Sequence, residues 1–157
     1  MRLNLLVRVM QLKLTEELRE KLGESYSPGA GASLSDEFPG YGHLFASSNV
    51  DYKDLATTRA AIFAIAKELR DAPVDTDTLD RARKPLVEAM VKARRENAYW
   101  LPYVAEATSA AARLDRSRNG IAEVEAATPA DLQALARRYL VDDKALTIKA
   151  VSDKAGK

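Results

Sequence analysis

The chain has 157 residues, with 24 lysines and arginines, 23 aspartates and glutamates, one histidine and no cysteine. One histidine cannot build a multi-histidine zinc site, and the lack of cysteine excludes thiolate ligands, disulfides and iron–sulfur clusters. The net charge of +1 gives no general attraction to nucleic acid, membranes or acidic partners. Length and a hydrophobic content of 46% suit one globular domain with an ordinary core.

The first segment predicts an amphipathic helix from about Leu3 to Leu22, because its apolar residues recur at helical spacing and Gly23 follows as a stop signal. Arg8 and Lys13 interrupt the apolar run, and no small-residue cleavage site follows. We therefore reject both a signal peptide and a membrane span for this segment.

A β-hairpin is predicted next, with strands at 26–34 and 41–50. The first strand is made of small residues and the second alternates, while the turn residues of 35–40 separate them. Pro28 places the start of the first strand at an edge or a bulge. The small residues would let another element pack closely against one face.

The rest of the sequence, after the hairpin, predicts mainly helices. Asp51 or Asp54 would cap a helix that ends near Asp71, and Thr128-Pro129 is a strong start signal for another. The other predicted elements are a helix from Thr76 kinked at Pro85, a helix at 99–112 broken near Pro102, a polar loop at 113–120, a short helix at 121–126 and a last strand at 145–151.

These elements follow the order α-β-β-α-α-α-α-β, which indicates an α+β fold. Its sheet would be small and mostly antiparallel, formed by the hairpin plus the C-terminal strand, and covered by helices. Three strands are few for so many helices, so we expect residues 1–157 to be a single domain cut from a larger protein.

Arg19 and Tyr26 are the most informative pair of polar residues. Arg19 lies in the last turn of the first predicted helix, and Tyr26 opens the hairpin. A tight turn at Gly23 would bring a guanidinium and a phenol together, where they could bind a peptide carbonyl or a developing oxyanion. The alternative is a helix-end cation that satisfies the last carbonyls, beside a tyrosine that packs.

Four other features are better explained by structure than by chemistry. His43 has aromatic neighbours at strand spacing and lies in no zinc motif. The basic run from Arg81 to Arg95 is interleaved with acids, which is typical of a solvated helix face rather than a phosphate-binding stripe. The glycine-rich stretch 28–32 lacks the spacing of a phosphate loop. The aromatic cluster 97–103 (NAYWLPY) fits core filling at a helix junction better than a stacking platform or partner surface.

The strings LREKLGESYSPGAGAS, GYGHLFASSNV, NAYWLPYVAEA and ATPADLQALARRYL–ALTIKAV resemble the pitrilysin/insulinase family of zinc metallopeptidases, in particular bacterial pqqL-like peptidases. Members are built from homologous α+β units around a chamber. One unit carries an HxxEH zinc motif, and the final unit carries an arginine and a tyrosine seven positions apart. Arg19 and Tyr26 match that spacing, so the resemblance implies that they bind substrate backbone and stabilise the tetrahedral intermediate.

The chain has no HxxEH motif and begins at the helix that would follow a unit's leading strands. The resemblance therefore implies a non-metal-binding C-terminal unit of a zinc endopeptidase, inactive alone, with no catalytic residue or metal ligand of its own. The zinc would belong to the parent, in its N-terminal part or in a partner subunit, and the parent would more readily be periplasmic than cytoplasmic. The alternative is a catalytically inactive structural module in a multi-subunit assembly. Peptide is the implied ligand, no nucleic acid is expected, and an exposed sheet edge would allow homo-oligomers.

Overall fold

The computed structural model describes residues 1–21, 28–35, 38, 40–105 and 111–152. Within these residues, one helix precedes a two-stranded hairpin and further helices follow, so the α+β class predicted from the sequence is confirmed. The elements are α1 (Arg2–Leu14) with a π-helical continuation (Thr15–Lys21), β1 (Gly29–Leu34), β2 (Gly42–Ser47), a 3-10 turn (Tyr52–Asp54), α2 (Leu55–Asp71), α3 (Thr76–Ala93), α4 (Asn97–Ala105), α5 (Ala111–Glu125), α6 (Pro129–Tyr139) and a 3-10 turn (Asp142–Lys144).

The first helix, α1, lies at the centre of the hydrophobic core. Leu5, Leu6, Val9 and Leu14 are at most 1% exposed, and the helix contacts β1, α2, α3 and α6. The predicted helix is confirmed up to residue 21, but its last seven residues are π-helical. Leu22, where the predicted helix ends, lies outside the described residues.

The hairpin is confirmed, with strands somewhat shorter than predicted. β1 and β2 pair antiparallel, and Gly31 stands opposite Phe45. A Cβ atom at Gly31 would come within 2.3 Å of the Phe45 ring, so the ring lies across bare backbone. Ala30 and Ala46 pack against the core below. The small residues of β1 therefore allow close packing on both faces of the strand, with Ala30 toward the core and Gly31 beneath the Phe45 ring.

Two of the later helices begin where the sequence predicts, α3 at Thr76 and α6 after Thr128. The Asp75 carboxylate accepts a hydrogen bond from the backbone N–H of Thr78 at 2.8 Å, which caps α3. Thr128 and Asp131 form a reciprocal capping box at the start of α6. The expected break near Pro102 was wrong, because α4 runs through it from Asn97 to Ala105.

The polar loop predicted at 113–120 was also wrong, because this segment belongs to α5. Ser117 is only 1% exposed, and Gly120 lies so close to Met90 that a Cβ atom would come within 3.1 Å of the methionine methyl group. Small buried residues on one side of α5 thus let it pack closely against α3, while the many charged residues of α5 face water.

The predicted C-terminal strand at 145–151 was wrong as well. The described part of the chain has a sheet of two strands only, β1 and β2. Residues 145–152 form no strand, and Leu146 and Ile148 are 84% and 83% exposed. An alternating sequence becomes a strand only when a neighbouring strand supplies backbone hydrogen bonds, and no described segment does so here.

Candidate functional site

Arg19 lies on the π-helical continuation of α1. The preceding residue, Leu18, is fully buried in the core, and Glu16 forms an ion pair of 2.8 Å with Arg81 of α3. The Arg19 side chain is exposed, and no hydrogen bond or ion pair joins this side chain to any other residue that the structure describes. Single π turns are frequent at functional sites. This helix end thus presents a guanidinium to solvent from a firmly anchored backbone.

Tyr26 falls in the segment 22–27, outside the described residues, so its convergence with Arg19 stays a prediction. The structure does describe where the chain rejoins the core. The side-chain amide of Gln11 donates to the Pro28 carbonyl oxygen at 2.7 Å and accepts from the Ala30 N–H at 2.7 Å. The residues on both sides of the segment 22–27 are thus held by the same helix. Lys21 is the last residue of its π-helical continuation, and Pro28 is hydrogen-bonded to Gln11 of α1.

Sequence reasoning missed Gln11. A lone glutamine on an amphipathic helix is usually solvated, and the backbone groups that it binds are 17 and 19 residues away. A usable signal was the small, proline-led strand nearby, whose edge needs a hydrogen-bonding partner.

His43 is exposed on β2, and its ring centroid lies 6.1 Å from that of Phe45. Within the described ranges, no group of three or more His, Asp or Glu side chains could hold a metal ion. Nothing in these contacts gives His43 a ligand or base role.

The basic run is used mainly to join helices. Arg81 pairs with Glu16, as above. Arg83 donates to the carbonyl oxygen of Ala127, and Arg94 donates to backbone carbonyls of α5. Arg83 and Arg94 therefore depart from the solvated face predicted for this run, because they bind backbone carbonyls of other segments.

The aromatic cluster packs at the junction of α3, α4 and α5. Tyr99 contacts both Trp100 and Tyr103, with ring centroids 5.1 Å and 5.2 Å away, and its hydroxyl lies 2.8 Å from that of Ser117. Burial acts to raise the pKa of Tyr99, but hydrogen bonds with Ser117 and Arg94 outweigh it and lower that pKa. Burial, followed by the neighbouring Tyr99, raises the pKa of Tyr103. The rings thus pack at a helix junction, as predicted, but they are only half-buried and lie outside the hydrophobic core, so the expectation of core filling was wrong.

Across the described ranges, none of the helices combines the length and the apolar character needed to cross a bilayer.

Comparison with known proteins gives a family and a similar fold. Residues 1–86, which include α1, its π-helical end and the hairpin, match the family model described as "Peptidase M16 inactive domain". No curated protein matches significantly. A solved structure of a conserved protein from Enterococcus faecalis V583 is similar, with a TM-score of 0.67 and 17% identity, over 85% of this chain and 32% of that one. The chain thus spans about a third of the length of that protein, and the likeness extends to the fold alone.

Proposed function

Since the chain belongs to the M16 peptidase family and matches its inactive domain over residues 1–86, we propose that it is the substrate-binding, non-catalytic C-terminal part of a zinc-dependent endopeptidase. The M16 match agrees with the resemblance to the pitrilysin/insulinase peptidases in the sequence. In this proposal Arg19 and Tyr26 bind peptide backbone and stabilise the tetrahedral transition state. The observation on which it depends is the match to the inactive domain over the segment that holds both residues.

The position of Arg19 supports this role. A side chain that binds substrate needs a firmly held backbone and a polar group that is free to contact the substrate. Burial of Leu18 and the ion pair of Glu16 hold the backbone around Arg19, and the guanidinium is exposed. A guanidinium offers five N–H donors and stays charged at any physiological pH, which suits a developing oxyanion.

The zinc and its ligands, in this proposal, belong to another unit, either the N-terminal part of the same polypeptide or a partner subunit. A pqqL-like bacterial peptidase, exported to the periplasm, is the parent that the sequence resemblance favours. The peptide would lie between the zinc-bearing unit and the segment containing Arg19 and Tyr26.

The test uses the complete zinc-loaded peptidase that contains this chain. Arg19→Ala and Tyr26→Phe should each lower kcat/KM for peptide hydrolysis by roughly 10- to 1000-fold, the scale expected for losing a transition-state donor. Steady-state kinetics with a fluorogenic peptide measure the effect. A larger loss in kcat than in substrate affinity would identify transition-state stabilisation rather than plain binding.

Matched controls separate this effect from general damage. Arg95→Ala removes an exposed arginine in the turn that follows α3, and Tyr52→Phe removes the hydroxyl of a tyrosine that is 57% exposed. Both controls should keep full activity. Unchanged kinetics in both Arg19→Ala and Tyr26→Phe would refute the proposed role.

The second candidate is a catalytically inactive structural module in a multi-subunit assembly. The exposed apolar side chains of Leu146 and Ile148 favour it, because such a segment is suited to contact another chain. In that case the Arg19 variant would leave any peptidase activity intact, while charges at Leu146 and Ile148 would disrupt the assembly.

A further inference from the structure

The side-chain amide of Gln11 bonds to two parts of the chain that the segment 22–27 separates. Its nitrogen donates to the Pro28 carbonyl oxygen at 2.7 Å and to the Thr15 hydroxyl at 3.3 Å, and its oxygen accepts from the Ala30 N–H at 2.7 Å. The Thr15 hydroxyl in turn donates to the Gln11 carbonyl oxygen at 2.9 Å. One side chain thus joins the first residue of the π-helical continuation to the start of β1.

The arrangement requires both the donor and the acceptor of the amide. The carbonyl of Pro28 needs a donor and the N–H of Ala30 needs an acceptor, so these two contacts also fix which way the amide is turned. Pro28 is buried and Gln11 is half-buried, so water competes little for these groups. Loss of the amide would leave a carbonyl and an N–H of the backbone without this partner, which is unfavourable where water has poor access.

Both residues of the proposed substrate site lie close in sequence to the residues that Gln11 holds. Tyr26 precedes Pro28 by two residues, so covalent geometry keeps their Cα atoms within about 7 Å of each other. Arg19 follows Thr15 by four residues on the same π-helical continuation. A contact that holds Thr15 and Pro28 together therefore limits how far the backbones at Arg19 and Tyr26 can move apart.

We infer that Gln11 is a positioning residue for the peptidase reaction, because its amide sets the separation between the backbones that carry Arg19 and Tyr26. The inference rests on the proposed function, in which those two residues act on the substrate. Gln11 acts through the chain at Thr15 and Pro28 and needs no contact with the substrate. Its loss should therefore weaken transition-state stabilisation more than substrate affinity.

The test measures steady-state kinetics of the complete zinc-loaded peptidase with Gln11→Leu, which removes both hydrogen-bonding groups at similar volume. Its kcat should fall roughly 5- to 100-fold, the scale of a misplaced catalytic group, and KM should change less than kcat. Gln11→Glu keeps an acceptor for the Ala30 N–H but loses the donor for the Pro28 carbonyl, and it should also lower kcat. Because glutamate keeps the shape of the side chain, this second variant provides the test if the leucine variant does not fold.

Gln133→Leu is the matched control. Gln133 is also half-buried, and its side-chain amide also donates to a backbone carbonyl, that of Arg70 at 3.1 Å. Gln133 and Arg70 belong to α6 and α2, and neither helix carries a residue of the proposed substrate site. This control should lower the Tm while keeping its kcat. An equal loss of kcat in Gln11→Leu and Gln133→Leu would show a general effect on folding and would overturn the inference.

A double-mutant cycle identifies the route by which Gln11 acts. Gln11→Leu should lower kcat much less in the Tyr26→Phe enzyme than in the unmodified enzyme, because a missing hydroxyl cannot be misplaced. Independent losses that multiply would overturn the inference. Hydrogen exchange, followed by mass spectrometry on peptides that cover residues 28–34, checks the contact itself. One additional amide, that of Ala30, should exchange rapidly in Gln11→Leu, and unchanged exchange would contradict the contact.

The role of Gln11 and the proposed function fail in different ways. Unchanged kinetics in both Arg19→Ala and Tyr26→Phe refute the proposed function, whatever the Gln11 variants do. Full kcat in Gln11→Leu and Gln11→Glu, beside an impaired Tyr26→Phe enzyme, overturns the role of Gln11 alone.

Discussion

At the scale of single residues, burial of the Leu18 side chain fixes the position of the neighbouring Arg19. Its side chain is fully buried, directly before the exposed guanidinium. Leu18→Ala should lower the free energy of unfolding by about 2–5 kcal/mol, because it leaves a cavity in a packed core. Urea denaturation followed by circular dichroism measures this change.

The control for Leu18 is Leu101→Ala, since the Leu101 side chain is 70% exposed on α4. That substitution should change stability by less than about 0.5 kcal/mol. Similar values for both leucines would show that the π-helical continuation is not anchored through Leu18.

Residue-level roles were predictable from sequence where local pattern decides them. Leu14 and Leu18 follow helical spacing, and both are fully buried. Gln11 was not predictable, because its function depends on the backbone of a strand that is distant in sequence. Arg94 was assigned to a solvated face, yet it donates to α5, since nothing local to it indicates that α5 will pack there.

At the scale of elements, an ion pair fixes the segment after α6 to the end of α2. Arg70 donates to both carboxylate oxygens of Asp142, at 2.6 Å and 2.9 Å, and also to the Leu140 carbonyl. The hydrogen bond with Arg70 lowers the pKa of Asp142 below its usual range. This contact holds the start of the extended C-terminal segment in place.

A lowered pKa in the folded state defines the expected pH dependence. The ion pair stabilises the folded chain above the unfolded carboxyl pKa of about 3.9, and this stabilisation is lost as pH falls through the lower folded value. Asp142→Asn should therefore lower the Tm at pH 7, and the difference from the unmodified chain should shrink as pH falls below about 4 and vanish below the lowered folded pKa. Differential scanning calorimetry across pH measures it.

Asp143→Asn is the matched control for this ion pair. Asp143 is the next residue, is exposed, and has no ion pair with the described residues. Its substitution should leave the Tm nearly unchanged at both ends of the pH range. An Asp142→Asn chain with the same Tm as the unmodified chain at pH 7 would contradict the stabilising role of the ion pair.

Element boundaries were predictable where capping chemistry is local, and less so where packing decides. Thr128 with Pro129 correctly indicated the start of α6. The polar composition of 113–120 concealed a helix, because its structure depends on the burial of Ser117 and Gly120 against other elements. The segment 145–151 has a strand's alternation but pairs with no strand among the residues that the structure describes, and no sequence pattern within it could reveal that.

At the scale of the whole molecule, the chain exposes strand-like surfaces that invite association. Leu146 and Ile148 alternate on a segment outside any helix or strand and are more than 80% exposed. Extended segments and open edges pair readily with another chain. We therefore expect the isolated chain to self-associate, with Leu146 and Ile148 buried in the contact.

Sedimentation velocity over a range of concentrations tests this expectation. The unmodified chain should sediment partly as a dimer or larger species. The double variant Leu146→Lys/Ile148→Lys should shift the distribution to monomer, because a charged pair cannot be buried without a large desolvation cost. The control Val91→Lys, on an α3 residue that is 39% exposed, should leave the distribution unchanged. A single monomeric species for the unmodified chain at all concentrations would exclude self-association.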